Sequence, residues 1–122
     1  MASHLLNLVL RFALELMALV ASGAWGWHRG GDITKYVFAL TIPILLTAVW
    51  GIFAVPDDPS RSGNTVVPTS GIVRLAIELV FFTFAVLCLY DIATPTFAFT
   101  YAAVALFHYI LSYDRVVWLL WK

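Results

Sequence analysis

Four long apolar runs dominate this chain and constrain what it can fold into. At about 1.5 Å of rise per residue, a helix of about 20 residues covers the ~30 Å hydrocarbon core of a bilayer. The chain is 62% hydrophobic and 11% charged, whereas a soluble domain carries about 25% charged residues. These features predict an all-α integral membrane protein with four transmembrane helices, at about residues 5–27, 36–55, 71–90 and 96–111 plus an amphipathic end.

Short polar turns connect the first helix to the second and the third to the fourth. Glycines in the turn at 28–34 and Pro95 in the turn at 91–95 allow tight reversals, which make each helix pair antiparallel. We therefore predict a single domain, 1–122, built as two repeated helical hairpins in an antiparallel bundle. The predicted parts are repeat one at 5–55, a Pro- and Ser-rich loop at 56–70 and repeat two at 71–118.

One short motif occurs in both hairpins and places charges inside the apolar runs. Residues 10–16 read Leu-Arg-Phe-Ala-Leu-Glu-Leu, and residues 73–79 read Val-Arg-Leu-Ala-Ile-Glu-Leu. The arginine and the glutamate of each copy share a helix face, and an unpaired charge at this depth costs about 2.5 kcal/mol or more. We expect helices one and three to be neighbours, with the two motifs forming one cluster of four charges.

The polar core candidates are Arg11, Glu15, Arg74, Glu78 and the intramembrane His108. The favoured interpretation is that the cluster sets helix register and forms a structural or accessory interaction core. The alternative is an oligomeric carrier or channel for a small polar solute, cation or proton that uses Glu15 or Glu78. For His108, a hydrogen bond to a neighbouring helix is favoured over a proton relay.

Enzymatic chemistry is not expected, because no nucleophile, cofactor motif or metal-ligand spacing accompanies the glutamates. We expect no cofactor and no metal. Cys88, which lies in an apolar run, is the one cysteine of the sequence, so neither a disulfide within the chain nor a Cys-x-x-Cys site is available. The net charge of zero also argues against nucleic acid as a partner.

The expected partner is the lipid bilayer, and two protein partners stay open: a second copy of the chain or another membrane subunit. Lys and Arg residues are more frequent on the side of the chain termini and the long loop, which carries Arg61, Arg115 and Lys122, than on the side of Arg29 and Lys35. The positive-inside rule then predicts cytoplasmic termini.

Pro43, Trp50, Gly51 and Pro56, in and directly after segment two, are expected to be structural. Pro43 lies in mid-span, where it frees a backbone carbonyl one turn earlier and bends the helix. Trp50 and Gly51 precede the helix end, and Pro56 cannot continue the helix.

Together these motifs resemble those of the YrdB-like family, small bacterial membrane proteins classed as a domain of unknown function. The matching elements are Arg-x-x-x-Glu-Leu with the Gly-Ala-Trp-Gly of 23–26, the Trp-Gly-Ile-Phe-x-x-Pro of 50–56, and the second Arg-x-x-x-Glu. The resemblance covers roughly residues 5–92. It implies a four-helix protein of the bacterial inner membrane and brings no known activity or substrate.

Overall fold

A computed structural model describes residues 5–56 and 67–122, and this part of the chain is helical apart from one short strand pair. The all-α prediction is confirmed. The elements, in chain order, are α1 Leu5–Arg29, α2 Thr34–Ile52, β1 Phe53–Ala54, β2 Val67–Pro68, α3 Gly71–Ile92, α4 Pro95–Leu111 and α5 Tyr113–Trp121.

Helices α1, α2 and α3 are each long and apolar enough to cross a membrane. The fourth predicted segment is broken at Ser112, where α5 bends away from α4 by 70°. The described chain therefore contains three candidate spans, or four if the bent pair counts as one. The second predicted segment, 36–55, is shifted, because α2 begins at Thr34 and ends at Ile52, and the chain is extended at Phe53 and Ala54.

Side-chain caps define where α3 and α4 begin. The Ser70 hydroxyl accepts a hydrogen bond from the Val73 amide, and the Thr94 hydroxyl accepts one from the Phe97 amide. Pro95 occupies the first turn of α4, where the proline's missing N–H has no helical partner to lose. The cap at Thr94 follows directly on the end of α3, so α3 and α4 form a tight hairpin.

Helices α1 and α3 lie side by side at the centre, as the sequence predicts. Helix α2 packs mainly on α1, and α4 packs on α3 and α1. Small and aromatic side chains fill the core between α1, α3 and α4. The hydroxyl of Tyr101 in α4 donates a hydrogen bond to the Leu14 carbonyl of α1 at 2.7 Å.

Two glycines of α1 allow the close approach of α2. A Cβ on Gly26 would lie 2.8 Å from the Phe38 carbonyl carbon, and one on Gly23 would lie 3.1 Å from the Ala39 oxygen. Ala39 is the residue whose carbonyl loses its helical partner, because Pro43 has no N–H to donate. The helix continues through Pro43. The two glycines of the Gly-Ala-Trp-Gly motif thus allow α1 to pack directly against the α2 backbone.

The two-residue strand β2 lies within the loop predicted at 56–70. Strands β1 and β2 pair in parallel, and the Thr69 amide donates to the Ala54 carbonyl at 2.9 Å. Residues 57–66 of the predicted loop, including the orientation residue Arg61, lie outside the described residues.

Helix α5 folds back over the end of the bundle where α3 begins. Leu119 is fully buried there, and a Cβ on Gly71 would overlap the Leu119 carbonyl oxygen. Only glycine therefore fits at the first residue of α3 with α5 in this position.

Candidate functional site

A buried carboxylate lies at the centre of the candidate site. Glu78 of α3 is 0% exposed. Its Oε1 accepts hydrogen bonds from Tyr109 Oη at 2.8 Å and Arg115 Nη1 at 2.9 Å. Its Oε2 accepts from Arg74 Nε at 2.9 Å and Arg115 Nη2 at 2.6 Å. Arg11 Nη2 adds an ion pair to Oε2 at 3.1 Å.

These contacts tie four helices to one carboxylate. Arg11 comes from α1, Arg74 from α3 itself, Tyr109 from α4 and Arg115 from α5. The contact of Arg115 is bidentate, which is the strongest and most directional geometry for a guanidinium and a carboxylate. We call this set, together with Glu15, the Glu78 cluster.

Glu15 lies at the margin of the Glu78 cluster. Its Oε1 is 3.1 Å from Arg11 Nε one helical turn away, and its side chain is 22% exposed. The two copies of the repeated motif are therefore not equivalent. One glutamate is sealed inside the bundle and shared by several cations, and the other reaches the surface.

The contacts of Trp50 give the Trp-Gly-Ile-Phe motif a structural role. The Trp50 ring stacks against two guanidinium groups, with Arg74 Cζ at 4.4 Å and Arg11 Cζ at 5.0 Å from the ring centroid. Arg74 Nη1 also donates to the carbonyls of Trp50 at 2.6 Å and Phe53 at 2.7 Å. The end of α2 thus binds the Arg74 guanidinium through two backbone carbonyls and the Trp50 ring. Gly51 lies in this last turn, and Pro56 is an exposed residue just after β1.

A second polar network adjoins the cluster through α1. Asn7 Nδ2 donates to Ser112 Oγ at 2.6 Å, and Asn7 Oδ1 lies 2.9 Å from His108 Nδ1. Because Asn7 Oδ1 can only accept, this contact is a hydrogen bond when His108 is protonated on Nδ1. His108 is buried and bonded to a neighbouring helix, which is the role favoured from the sequence.

At the opposite end of the bundle, an exposed polar link joins α1 to α3. Asp91 Oδ2 accepts from Trp25 Nε1 at 2.9 Å and from Arg29 Nε at 3.0 Å. Because Arg29 and Asp91 are both partly exposed, their attraction is screened by water and contributes little to stability.

The structure brings together Arg11, Glu15, Arg74 and Glu78, the four motif residues predicted to cluster. Sequence reasoning missed Arg115, which it placed among the surface charges, and Tyr109. The cluster also contains a third arginine, Arg115, beyond the four predicted charges, and Glu78 rather than Glu15 takes its central place. The amphipathic turn at 112–115 was the one available signal, and it does not show which way the arginine points.

The described residues contain no group of three or more His, Cys, Asp or Glu side chains that could hold a metal ion. An open groove of about 630 Å³ lies between α2 and α3, and its lining, which includes Trp50, is apolar. Neither Glu15 nor Glu78 is among the described residues that line it.

Comparison with known proteins identifies relatives without a described activity. The family described as "Protein of unknown function (DUF2568)" matches residues 9–106. The chain is 44% identical over 114 residues, covering 93% of each chain, to the uncharacterized protein YrdB of Bacillus subtilis (strain 168). No solved structure matches. These matches confirm the family resemblance and extend it beyond residue 92 into α4.

Proposed function

Since the chain belongs to the DUF2568 family of unknown function, we propose a role for it from the geometry of the Glu78 cluster. We propose a small multi-pass protein of the bacterial inner (plasma) membrane that acts as a non-catalytic structural or accessory subunit. In this proposal the Glu78 cluster fixes the arrangement of the helices. The observation that carries it is the complete burial of Glu78 under hydrogen bonds from Tyr109, Arg74 and Arg115.

Both oxygens of the Glu78 carboxylate already have hydrogen-bond donors, and this favours the structural role over transport. A transported cation or proton must reach the carboxylate and displace a partner. Both Glu78 oxygens already accept strong charge-assisted hydrogen bonds. Removing one partner from such a buried ion pair leaves an uncompensated charge, which is strongly destabilising. The open groove gives no route either, since its described lining is apolar and does not include Glu78.

The proposed membrane arrangement has four spans, with α4 and α5 together forming the bent fourth. The two repeats, 5–55 and 71–118, then enter the membrane from the same side. Support for this repeat comes from Arg11 and Arg74, the matching arginines of the two motifs, which stack on the same Trp50 ring. The termini lie in the cytoplasm, in line with the positive-inside rule.

Carbodiimide labelling tests whether the Glu78 carboxyl group is inaccessible to a reagent that enters from the membrane. Dicyclohexylcarbodiimide partitions into membranes and modifies carboxyl groups that become protonated and accessible. We expect no adduct on Glu78 in the reconstituted wild-type protein. An Arg74→Met, Arg115→Met double variant is the positive control, because its Glu78 loses hydrogen-bond donors from both arginines and should react. A wild-type adduct on Glu78 or Glu15 that an added cation prevents would establish the carrier instead.

A further inference from the structure

The groove between α2 and α3 opens to the exterior and has an unusual lining. Its volume of about 630 Å³ is within the range of about 300–1,000 Å³ that small-molecule sites occupy. Aliphatic and aromatic side chains line it, and no charged side chain is found among its described lining residues. A groove of this chemistry suits a hydrocarbon ligand and offers no hydrogen bonds to a polar one.

The groove is as long as one leaflet of a membrane. On α2 it extends from Trp50 to Ile42, and on α3 from Ile72 to Phe84. At about 1.5 Å per residue these stretches measure about 12 and 18 Å. The hydrocarbon core is about 30 Å thick, so one leaflet is about 15 Å. A membrane-spanning helix of a partner protein would need a groove of twice this length.

The side chains of the groove also differ from those of a helix–helix contact. Close helix packing in membranes uses small residues, as α1 does with Gly23 and Gly26 against α2. The groove is lined mostly by bulky Ile, Leu, Val, Phe and Trp side chains, with Ala76 as its small residue. A flexible chain can fill the irregular space between such side chains, whereas a rigid helix cannot approach closely.

We propose that this groove binds one acyl chain of a phospholipid from the leaflet that contains the Glu78 cluster. The inference rests on the proposed membrane location. The chain enters beside Trp50 and ends near Phe84, against which Trp25 packs edge-on with ring centroids 5.8 Å apart. Trp50 both lines the groove and stacks on Arg74, so lipid binding supports the tryptophan that holds the cluster.

Native mass spectrometry of the detergent-purified protein tests the proposal. We expect a phospholipid adduct on the wild-type protein. Ala76→Trp fills the groove and should abolish the adduct. Ala103→Trp is the matched control, because Ala103 is exposed on α4 outside the groove, and it should keep the adduct. An equal adduct in the Ala76→Trp variant, or none in the wild type, would overturn the proposal.

Photolabelling locates the lipid. The protein is reconstituted with phosphatidylethanolamine that carries a diazirine in mid-chain, and adducts are mapped by fragmentation. We expect adducts on Ile77 and Val80 in the wild type and in Ala103→Trp, and their loss in Ala76→Trp, while the exposed Leu87 stays labelled in all three. Disulfide-linked dimers of an Ile77→Cys variant in a Cys88→Ser background, together with the absence of lipid adducts, would identify a second copy as the occupant and refute the acyl chain.

The experiments distinguish an incorrect lipid site from an incorrect membrane location. A protein that alkaline carbonate extracts from membranes, with Leu87 unlabelled as well, would refute the proposed location and the lipid site together. A protein that stays in the membrane and labels at Leu87 but not at Ile77 or Val80 would refute the lipid site alone.

Discussion

At the scale of single residues, Glu78 is the position on which the most interactions converge. Its carboxylate is the shared counter-charge for arginines on three helices, and it has no access to water in the described structure. A buried ion pair is weak evidence of net stabilisation compared with apolar residues, but breaking one is strongly destabilising. The consequence of losing Glu78 therefore differs from that of losing Glu15, which reaches the surface.

Glu78→Gln should destabilise the protein by about 3–5 kcal/mol, because it leaves buried guanidinium groups without their counter-charge. Glu15→Gln makes the same chemical change at a partly exposed ion pair and should cost about 1 kcal/mol or less. Thermal melting of the two variants in the same detergent measures the difference. Equal melting temperatures would show that Glu78 is not a desolvated, paired centre.

Arg115→Lys tests the bidentate contact. Lysine keeps the positive charge but cannot place two donors in the plane of the Glu78 carboxylate. We expect a loss of about 1.5–3 kcal/mol, the usual contribution of a hydrogen bond to a charged group. Arg29→Lys, at the exposed pair with Asp91, is the control and should change stability by less than about 1 kcal/mol. A similar loss for both variants would contradict the special role of Arg115.

At the scale of elements, α5 closes the end of the bundle that contains the cluster. Its buried side carries Arg115 and Leu119, one turn apart, and its outer side exposes Val117, Leu120 and Trp121. An apolar outer face that ends in tryptophan is typical of the part of a span that reaches the membrane interface. On the inner side, the ionic contact of Arg115 with Glu78 and the close contact of Leu119 with Gly71 fix α5 on the bundle.

Gly71→Ala should release α5 from the bundle. The added Cβ would overlap the Leu119 carbonyl, and backbone atoms cannot move aside without shifting the helix. Hydrogen exchange should therefore become faster across α5. Gly51→Ala is the matched control, because a Cβ there meets open space, and alanine even favours a helix over glycine by about 1 kcal/mol. Unchanged exchange in α5 of the Gly71→Ala variant would argue against this packing.

At the scale of the whole molecule, the arrangement in the proposed membrane location depends on whether α4 and α5 together cross the membrane. If they do, the chain crosses four times and both ends lie on the same side, opposite to the turn between α1 and α2. If they do not, three spans place the ends on opposite sides. The 70° bend at Ser112 makes this a property of the fold that helix length alone does not decide.

Cysteine labelling in whole cells distinguishes these topologies. In a Cys88→Ser background, a cysteine at Asp32 in the α1–α2 turn should react with an impermeant maleimide added outside. One at Lys122 should react only after the membrane is opened, because four spans and the positive-inside rule place it in the cytoplasm. Both positions are exposed. Labelling of both cysteines from outside would refute the four-span arrangement.

The sequence by itself determined the helical fold class and the family, and it predicted the membrane location. Apolar length and low charge content predict helices that face lipid, because backbone groups in lipid must be bonded within the segment. The cost of burying charge also predicts that the repeated Arg and Glu residues meet. These properties follow from local composition and spacing, which a single chain displays directly.

The tertiary structure alone decided which glutamate is central and what surrounds it. Arg115 is far from Glu78 in sequence, and the 70° bend at Ser112 and the contact of Leu119 with Gly71 bring it into the cluster. Trp50 likewise joins the cluster because the close α1–α2 packing and the hydrogen bonds of Arg74 bring the end of α2 against it. Such contacts depend on how the helices pack in three dimensions, and the spacing of residues along one chain carries no record of that packing.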